Sequence, residues 1–328
     1  MLTKISSWLC IFFFALLWLA GCHAETKRKI AALGIVEDDF RYGDLYRLSH
    51  LRKYKQIEAD CSTEISNSVI NQNVNLFILG DSFVENIDSS QIGYSRLKFH
   101  HWKESTKDFV NPKAQNSLII ECAERNVRRL FSKPFDYFTN QKVNKIVKND
   151  YFDFVFPEID KTELHLEQIL FSKDIFLFFR ELKADLNFAL FNRLPDEVAE
   201  NQEHTVLFLK EEVAKNNEPT SFFAKLNDKE MELIYRNLEI EVKKLSNLGF
   251  SKIYISIIPS KGNILGRSLG NYNNLIPKLE NTQIKGVEYI SIFDEFIKNP
   301  DNKYRLGDTH WTCEGKRVWL KTVQKRLN

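Results

Sequence analysis

Glycine is missing from a long interior stretch of this 328-residue chain: none lies between Gly93 and Gly249. A segment that must reverse direction several times without glycine is poor in left-handed turns, which favours helices joined by short polar breaks. Charge of one sign is lacking too. Forty-six Lys and Arg against 44 Asp and Glu leave no global field to draw nucleic acid. No His-Glu-x-x-His, Cys-x-x-Cys or Walker loop occurs. His100 and His101 point to opposite faces of an extended strand, with no partner at zinc spacing. Gly262, Gly266 and Gly270 lack the strand-turn-helix setting of a dinucleotide loop. Neither a metal nor a cofactor is expected. No segment points to a paired-carboxylate glycosidase.

The first 22 residues read as an export signal. Lys4 precedes an apolar stretch from Leu9 to Leu19, the size of a signal-peptide core and short for a membrane span. Leu19-Ala20-Gly21-Cys22 has the form of a bacterial lipobox, which makes Cys22 the acylated N-terminus of a lipoprotein. Cleavage after Ala24 and an uncleaved anchor are the alternatives. All three place the body outside the cytoplasm, in the cell envelope. Of the remaining cysteines, Cys61, Cys122 and Cys313, an odd number leaves one unpaired. Cys122 sits in a strand pattern and reads as a small buried hydrophobe. A Cys61–Cys122 or a Cys122–Cys313 disulfide is open.

Strand-like runs fall at 75–79, 117–122, 252–258 and 287–292. Helical period marks 231–248, with Leu233, Ile234, Leu238, Val242 and Leu245 on one face. Alternation of this kind predicts an α/β fold with a mostly parallel sheet covered on both faces. Ligands of such sheets sit beyond the C-terminal ends of the strands. Ser82, Glu124-Arg125-Asn126 and Pro259-Ser260-Lys261 each follow a strand and should rise around one crevice. The glycine-free interior, about 135–230, reads as a helical insertion serving as a cap or a partner-binding arm. It contains a long helix over 162–190 with Phe171, Phe176, Phe178 and Phe179. Those rings read as core packing or as a patch facing a membrane or a partner.

The chemistry concentrates in two short segments. Gly80-Asp81-Ser82-Phe83 follows the apolar run Leu76–Leu79, and Asp308-Thr309-His310-Trp311 lies near the C-terminus. A serine hydroxyl does not ionise alone at neutral pH. An imidazole must take its proton, and a carboxylate fixes the tautomer of that imidazole. Asp308 and His310, two apart, can face one cleft on extended backbone. Ser82 is expected at the start of a helix, in the positive field of its N-terminus.

These motifs resemble the SGNH (GDSL-type) hydrolase superfamily, in which Gly-Asp-Ser stands near the front of the domain and Asp-x-His or Asp-x-x-His near its end. Asp308-Thr309-His310-Trp311-Thr312 followed by Glu314-Gly315 is similar to the branch of the alginate O-acetylation proteins. In that branch the Asp-x-His segment usually precedes the serine, and here the serine comes first. The likeness covers about 74–130 and 250–325. It implies a three-layer α/β/α, flavodoxin-like domain over 74–328, after a lead-in at 23–73.

The resemblance further implies a Ser82-His310-Asp308 triad acting on O-acyl groups, with the backbone N–H of Ser82 as one oxyanion donor. The superfamily's further donors, a glycine after the second strand and a Gly-x-Asn-Asp motif after the third, are absent in standard form. Asn126 and Arg125 occupy the place of the latter, and Asn111 is the next candidate. Lys261 could contact an anionic sugar, and Trp311 could stack on a sugar ring. The expected function is that of an envelope esterase or O-acetyltransferase. Its partners are a polysaccharide or acylated sugar, the membrane through the lipid anchor, and a membrane-bound acyl donor. The alternative is a non-catalytic SGNH-fold lipoprotein that binds glycan or assembles with polysaccharide-modifying machinery.

Overall fold

The computed structural model describes residues 2–22, 29, 34, 37, 40–57, 61, 71–141, 162–216 and 218–327. The chain divides into two compact units, one of residues 1–55 with 145–194 and the other of 56–144 with 195–328.

The larger unit is built on a five-stranded sheet: β1 Asn71–Gly80, β2 Tyr94–His101, β3 Gln115–Ala123, β4 Phe250–Ile258 and β5 Val287–Tyr289. The spatial order is β2-β1-β3-β4-β5, and every pairing is parallel. That is the flavodoxin-type doubly wound order. Strand period two sends alternate side chains to opposite faces. Phe77, Leu79, Leu118, Ile120, Ile255 and Ile257 join one core with Ile234, Leu238 and Val242 of the helix Asp228–Leu248. Leu76, Ile78, Ile119, Tyr254 and Ile258 join a second core with Trp319, Leu320 and Val323 of the helix Cys313–Leu327. Helices on both faces make the arrangement compatible with three layers.

The helix Asp228–Leu248 shows why the periodic reading worked and where it slipped. Asn227 caps its start by accepting from the Lys229 N–H, and Gly249, at φ 110, ends it in the left-handed conformation. Met231, Ile234, Leu238, Val242 and Leu245 are buried, whereas Leu233 turns outward, 46% exposed. Strand β2 escaped the sequence reading. Its Tyr-Ser-Arg-Leu-Lys-Phe pattern is that of a half-exposed edge strand, paired among the described residues with β1 alone. β5 stops at Tyr289, three residues before the expected end.

The interior is only partly a helical insertion. Residues 142–161 lie outside the described residues. The expected long helix is two, Thr162–Phe171 and Asp174–Phe191, broken at Ser172-Lys173. These belong to the smaller unit, together with residues 23–55 of the segment expected as a lead-in, whose remainder falls in the larger unit. From Pro195 onward the chain returns to the sheet unit, where Val198–Glu200 and Leu207–Leu209 form an antiparallel pair. Among the described residues no helix is long and apolar enough to cross a membrane. In the N-terminal helix Leu2–Cys22 the contiguous described side chains run over 5–19.

Cys61 and Cys313 form the disulfide, and Cys122 is free and buried. Both sequence-level pairings drew on Cys122, whose place inside β3 keeps it in the core.

Candidate active site

Ser82 follows β1 by two residues, on an exposed turn. No helix begins there. Residues 82–86 are successive turns, with Val84 N–H donating to the Asp81 carbonyl and Ile87 N–H to that of Val84. The next helix is the single turn Ser89–Ile92, so a helix N-terminus does not act on the serine. The turn is fixed from below instead. Asp81 Oδ1 accepts from the Phe83 N–H at 3.1 Å, an Asx turn, and Oδ2 accepts from the Ala123 N–H at 3.1 Å. Asp81 donates its own N–H to Glu121 Oε2 at 2.8 Å. Gly80 is required by this arrangement. A Cβ there would lie 2.4 Å from Val84 Cγ2 and 2.8 Å from Glu121 Oε2. Glu121 is fully buried, and burial together with the charge of Asp81 pushes its carboxyl well above the usual range.

Ser82 Oγ and His310 Nε2 are 2.8 Å apart, and His310 Nδ1 is 2.7 Å from Asp308 Oδ1. The His310 N–H also donates to Asp308 Oδ1, at 2.9 Å, and Arg305 Nη1 donates to Oδ2 at 2.6 Å. Burial opposes ionisation of Asp308. The hydrogen bond and charge of His310, with the Arg305 guanidinium, prevail and hold the carboxyl well below the usual range. With Asp308 ionised, His310 presents its Nδ1–H to the carboxylate, and Nε2 faces the serine hydroxyl as its acceptor. The Phe83 ring packs 4.8 Å from the imidazole and 5.1 Å from Trp311. Trp311 in turn lies 6.0 Å from Trp319, which ties the histidine loop to the C-terminal helix. Gly315 permits close approach of that helix, since a Cβ there would meet the Lys303 carbonyl at 2.5 Å.

The remaining sequence candidates have other positions. Lys261 is buried, and its Nζ donates to the carbonyls of Leu306 at 2.7 Å and Asp308 at 3.0 Å. It braces the Asp308 loop from within, which is a different role from touching a sugar. Trp311 is buried at 8% exposure, so its ring serves packing more than stacking on a ligand. Arg125 Nη1 pairs with the buried Glu212 at 2.8 Å, and Asn126 Oδ1 accepts from Arg129 at 3.0 Å. Both side chains sit in the helix Glu124–Leu130, which follows β3 directly. Asn111 precedes β3 and therefore lies at the opposite end of the strands from the serine. The Ser82 N–H has no hydrogen-bond partner among the described residues, which leaves it available to a developing oxyanion.

Two residues, Arg305 and Glu121, had no place in the sequence reading, and a third, Glu124, was placed at the crevice without a role. Arg305 orients Asp308, and its spacing of three from the carboxylate was the available signal. Glu121 and Glu124 left none, because each acts across strands. Glu124 accepts from the Ser260 N–H at 2.9 Å and from Asn263 Nδ2 at 3.1 Å, joining the ends of β3 and β4 beneath the crevice. Burial raises its carboxyl to about 7 against these hydrogen bonds and that of Tyr272. A cavity of about 340 Å³ adjoins the histidine loop, lined by Gln56, Ile57, Arg305, Trp311 and the disulfide.

Comparison with family models, curated proteins and solved structures finds no match to this chain.

Proposed function

We propose that this chain is a serine acyl-transfer enzyme of the SGNH type, an esterase or O-acetyltransferase of the cell envelope whose substrate is an O-acetylated polysaccharide. The observation that carries the reading is the unbroken chain Ser82 Oγ, His310 Nε2, His310 Nδ1, Asp308 Oδ1, each link within 2.8 Å. Ser82 attacks the acyl carbonyl as His310 takes its proton at Nε2, and the oxyanion forms against the Ser82 N–H. Collapse of the tetrahedral intermediate breaks the ester C–O bond, and His310 returns the proton to the departing sugar oxygen. Water or a second sugar hydroxyl then attacks the acyl-serine, deprotonated in its turn by His310, and collapse breaks the acyl–Oγ bond as His310 returns the proton to Ser82. Water makes the protein an esterase; a sugar hydroxyl makes it a transferase. The flavodoxin-type strand order and the Gly80-to-Phe83 turn at the end of β1 support the SGNH assignment. The Leu-Ala-Gly-Cys segment ending at Cys22 supports attachment to the membrane from outside the cytoplasm, where a membrane-bound acyl donor could supply the acetyl group.

A second reading, a glycan-binding lipoprotein without turnover, is favoured by the engagement of Arg125 and Asn126 with Glu212 and Arg129. Turnover of a chromogenic acetate ester separates the two. Ser82→Ala and His310→Ala should each lower kcat by about 10³-fold or more, and the double variant little further. Wild-type protein without turnover of any acyl ester selects the binding reading.

A further inference from the structure

We propose that the helix Asp174–Phe191 lies along a lipid surface, with the face bearing Phe179, Leu182 and Leu186 set into the headgroup boundary. The inference rests on the envelope reading above and adds a second, non-covalent membrane contact to it.

At roughly 100° per residue, Ile175, Phe178, Phe179, Leu182, Leu186 and Leu190 fall within about 60° of one line along this helix. Only Ala189 shares the sector, so it holds no polar side chain. All six are exposed, from 38% at Leu182 to 69% at Leu190. The opposite flank is committed to the helix's own unit. Glu181 takes the Tyr46 hydroxyl and, at 2.7 Å, Lys55 Nζ; Asp185 pairs with Arg52; Asp174 pairs with Arg41 at 2.6 Å. Lys53 covers the Phe188 ring at 4.0 Å. The helix cannot roll its apolar stripe inward without breaking these pairs.

Three observations favour lipid as the occupant. The first is continuity with the anchor. Thr162 Oγ1 donates to Cys22 Sγ at 3.4 Å, and a Cβ on Gly21 would meet Leu166 Cγ at 2.6 Å. The N-terminal helix therefore packs on the helix Thr162–Phe171, whose Leu170 and Phe171 are exposed, Phe171 meeting Phe176 edge to face at 5.2 Å beside the stripe. Acyl chains on Cys22, or a retained N-terminal helix, would start beside the helix Thr162–Phe171, against which Cys22 is buried. The second is width: a sector of about 120° with bulky phenylalanines exceeds the narrow two-position seam of a paired coiled coil. The third is charge. The acidic groups of the helix are turned to Arg41, Arg52 and Lys55, while Lys183 borders the stripe, exposed and without an ion-pair partner among the described residues. A cation beside an apolar face is the pattern of an interfacial helix on anionic lipid.

The test uses the full-length chain, reconstituted into vesicles of phosphatidylethanolamine and phosphatidylglycerol with tritiated acyl chains. Benzoylphenylalanine replaces Leu182, Leu186 or, as control, the exposed Glu239, and circular dichroism verifies folding. Leu190 is the substitute should either leucine variant misfold. Irradiation should couple labelled lipid to positions 182 and 186, with none above background at 239. A cross-linked dimer would mean that a second copy covers the stripe, and absence of any adduct would mean that water does; either overturns the proposal. Flotation of the unsubstituted protein reads the anchor separately. Flotation without lipid adducts removes only the helix contact, and loss of flotation removes the anchoring reading itself.

Discussion

His310 is held at both ring nitrogens, by the Ser82 hydroxyl at Nε2 and by Asp308 at Nδ1. Asp308 would pay heavily for burial without the imidazole and Arg305 beside it, so the three form one electrostatic unit. Lys261 draws the Leu306 and Asp308 carbonyls together from the other side of the loop. Glu124 is one of the residues whose ionisation the fold resists, and a pH dependence follows from its carboxyl rising from 4.5 to about 7. Below 4.5 both the folded and unfolded states hold the proton, and it has no effect. Between 4.5 and about 7 the unfolded chain releases a proton that the folded protein keeps, so stability falls as pH rises. Above about 7 the penalty is complete. Glu280, also raised to about 7 by burial, adds the same sign. Glu124→Gln should therefore lessen the decline of Tm between pH 5 and pH 8 without abolishing it, since Glu121, Glu241 and Glu280 keep their shares. An unchanged slope would place the Glu124 carboxylate in a better-solvated setting than its burial implies.

At the scale of elements, the turn after β1 matters most. Gly80, Asp81 and the buried Glu121 on the neighbouring strand define where Ser82 stands, without help from a helix dipole. Gly80→Ala would force its Cβ into Val84 and Glu121. The expected cost is about 1–3 kcal/mol of stability, with turnover falling further than that loss of folded protein accounts for. Thermal melts and ester turnover on the same preparation check it. The strands β1, β3 and β4 were legible because buried parallel strands are continuous apolar runs. Edge strand β2 was not, since its polar residues face water, and neither was the turn at Ser82. There Phe83 and Val84 both bury, a local pattern that helical and irregular backbone share. The serine, histidine and aspartate were legible because their motifs are local. The supporting Arg125–Glu212 and Glu124–Ser260 contacts join positions 87 and 136 residues apart, and no local pattern announces them.

For the molecule as a whole, the two segments carrying the site come from opposite ends of the sheet unit, 228 residues apart at the Ser82–His310 contact. The disulfide reinforces that closure. Cys313 lies three residues after His310, and its bond to Cys61 spans 252 residues. Nearby, Gln56 Oε1 accepts from the Leu306 N–H at 2.9 Å, so the segment entering the sheet unit straps the histidine loop. Cys61→Ser should lower unfolding stability by about 2–4 kcal/mol in urea titrations. Turnover should fall as well, because the loop bearing Asp308 and His310 loses its tether. Equal stability with and without reductant would show that the bond constrains nothing. The central claim is that Ser82 forms a covalent acyl intermediate. It is tested most directly by mass spectrometry of the protein quenched in acid during turnover of a chromogenic acetate ester. One added acetyl group is expected, located on the peptide containing Ser82 and missing from Ser82→Ala. Turnover with no adduct on that peptide, or an adduct that persists in Ser82→Ala, would contradict it.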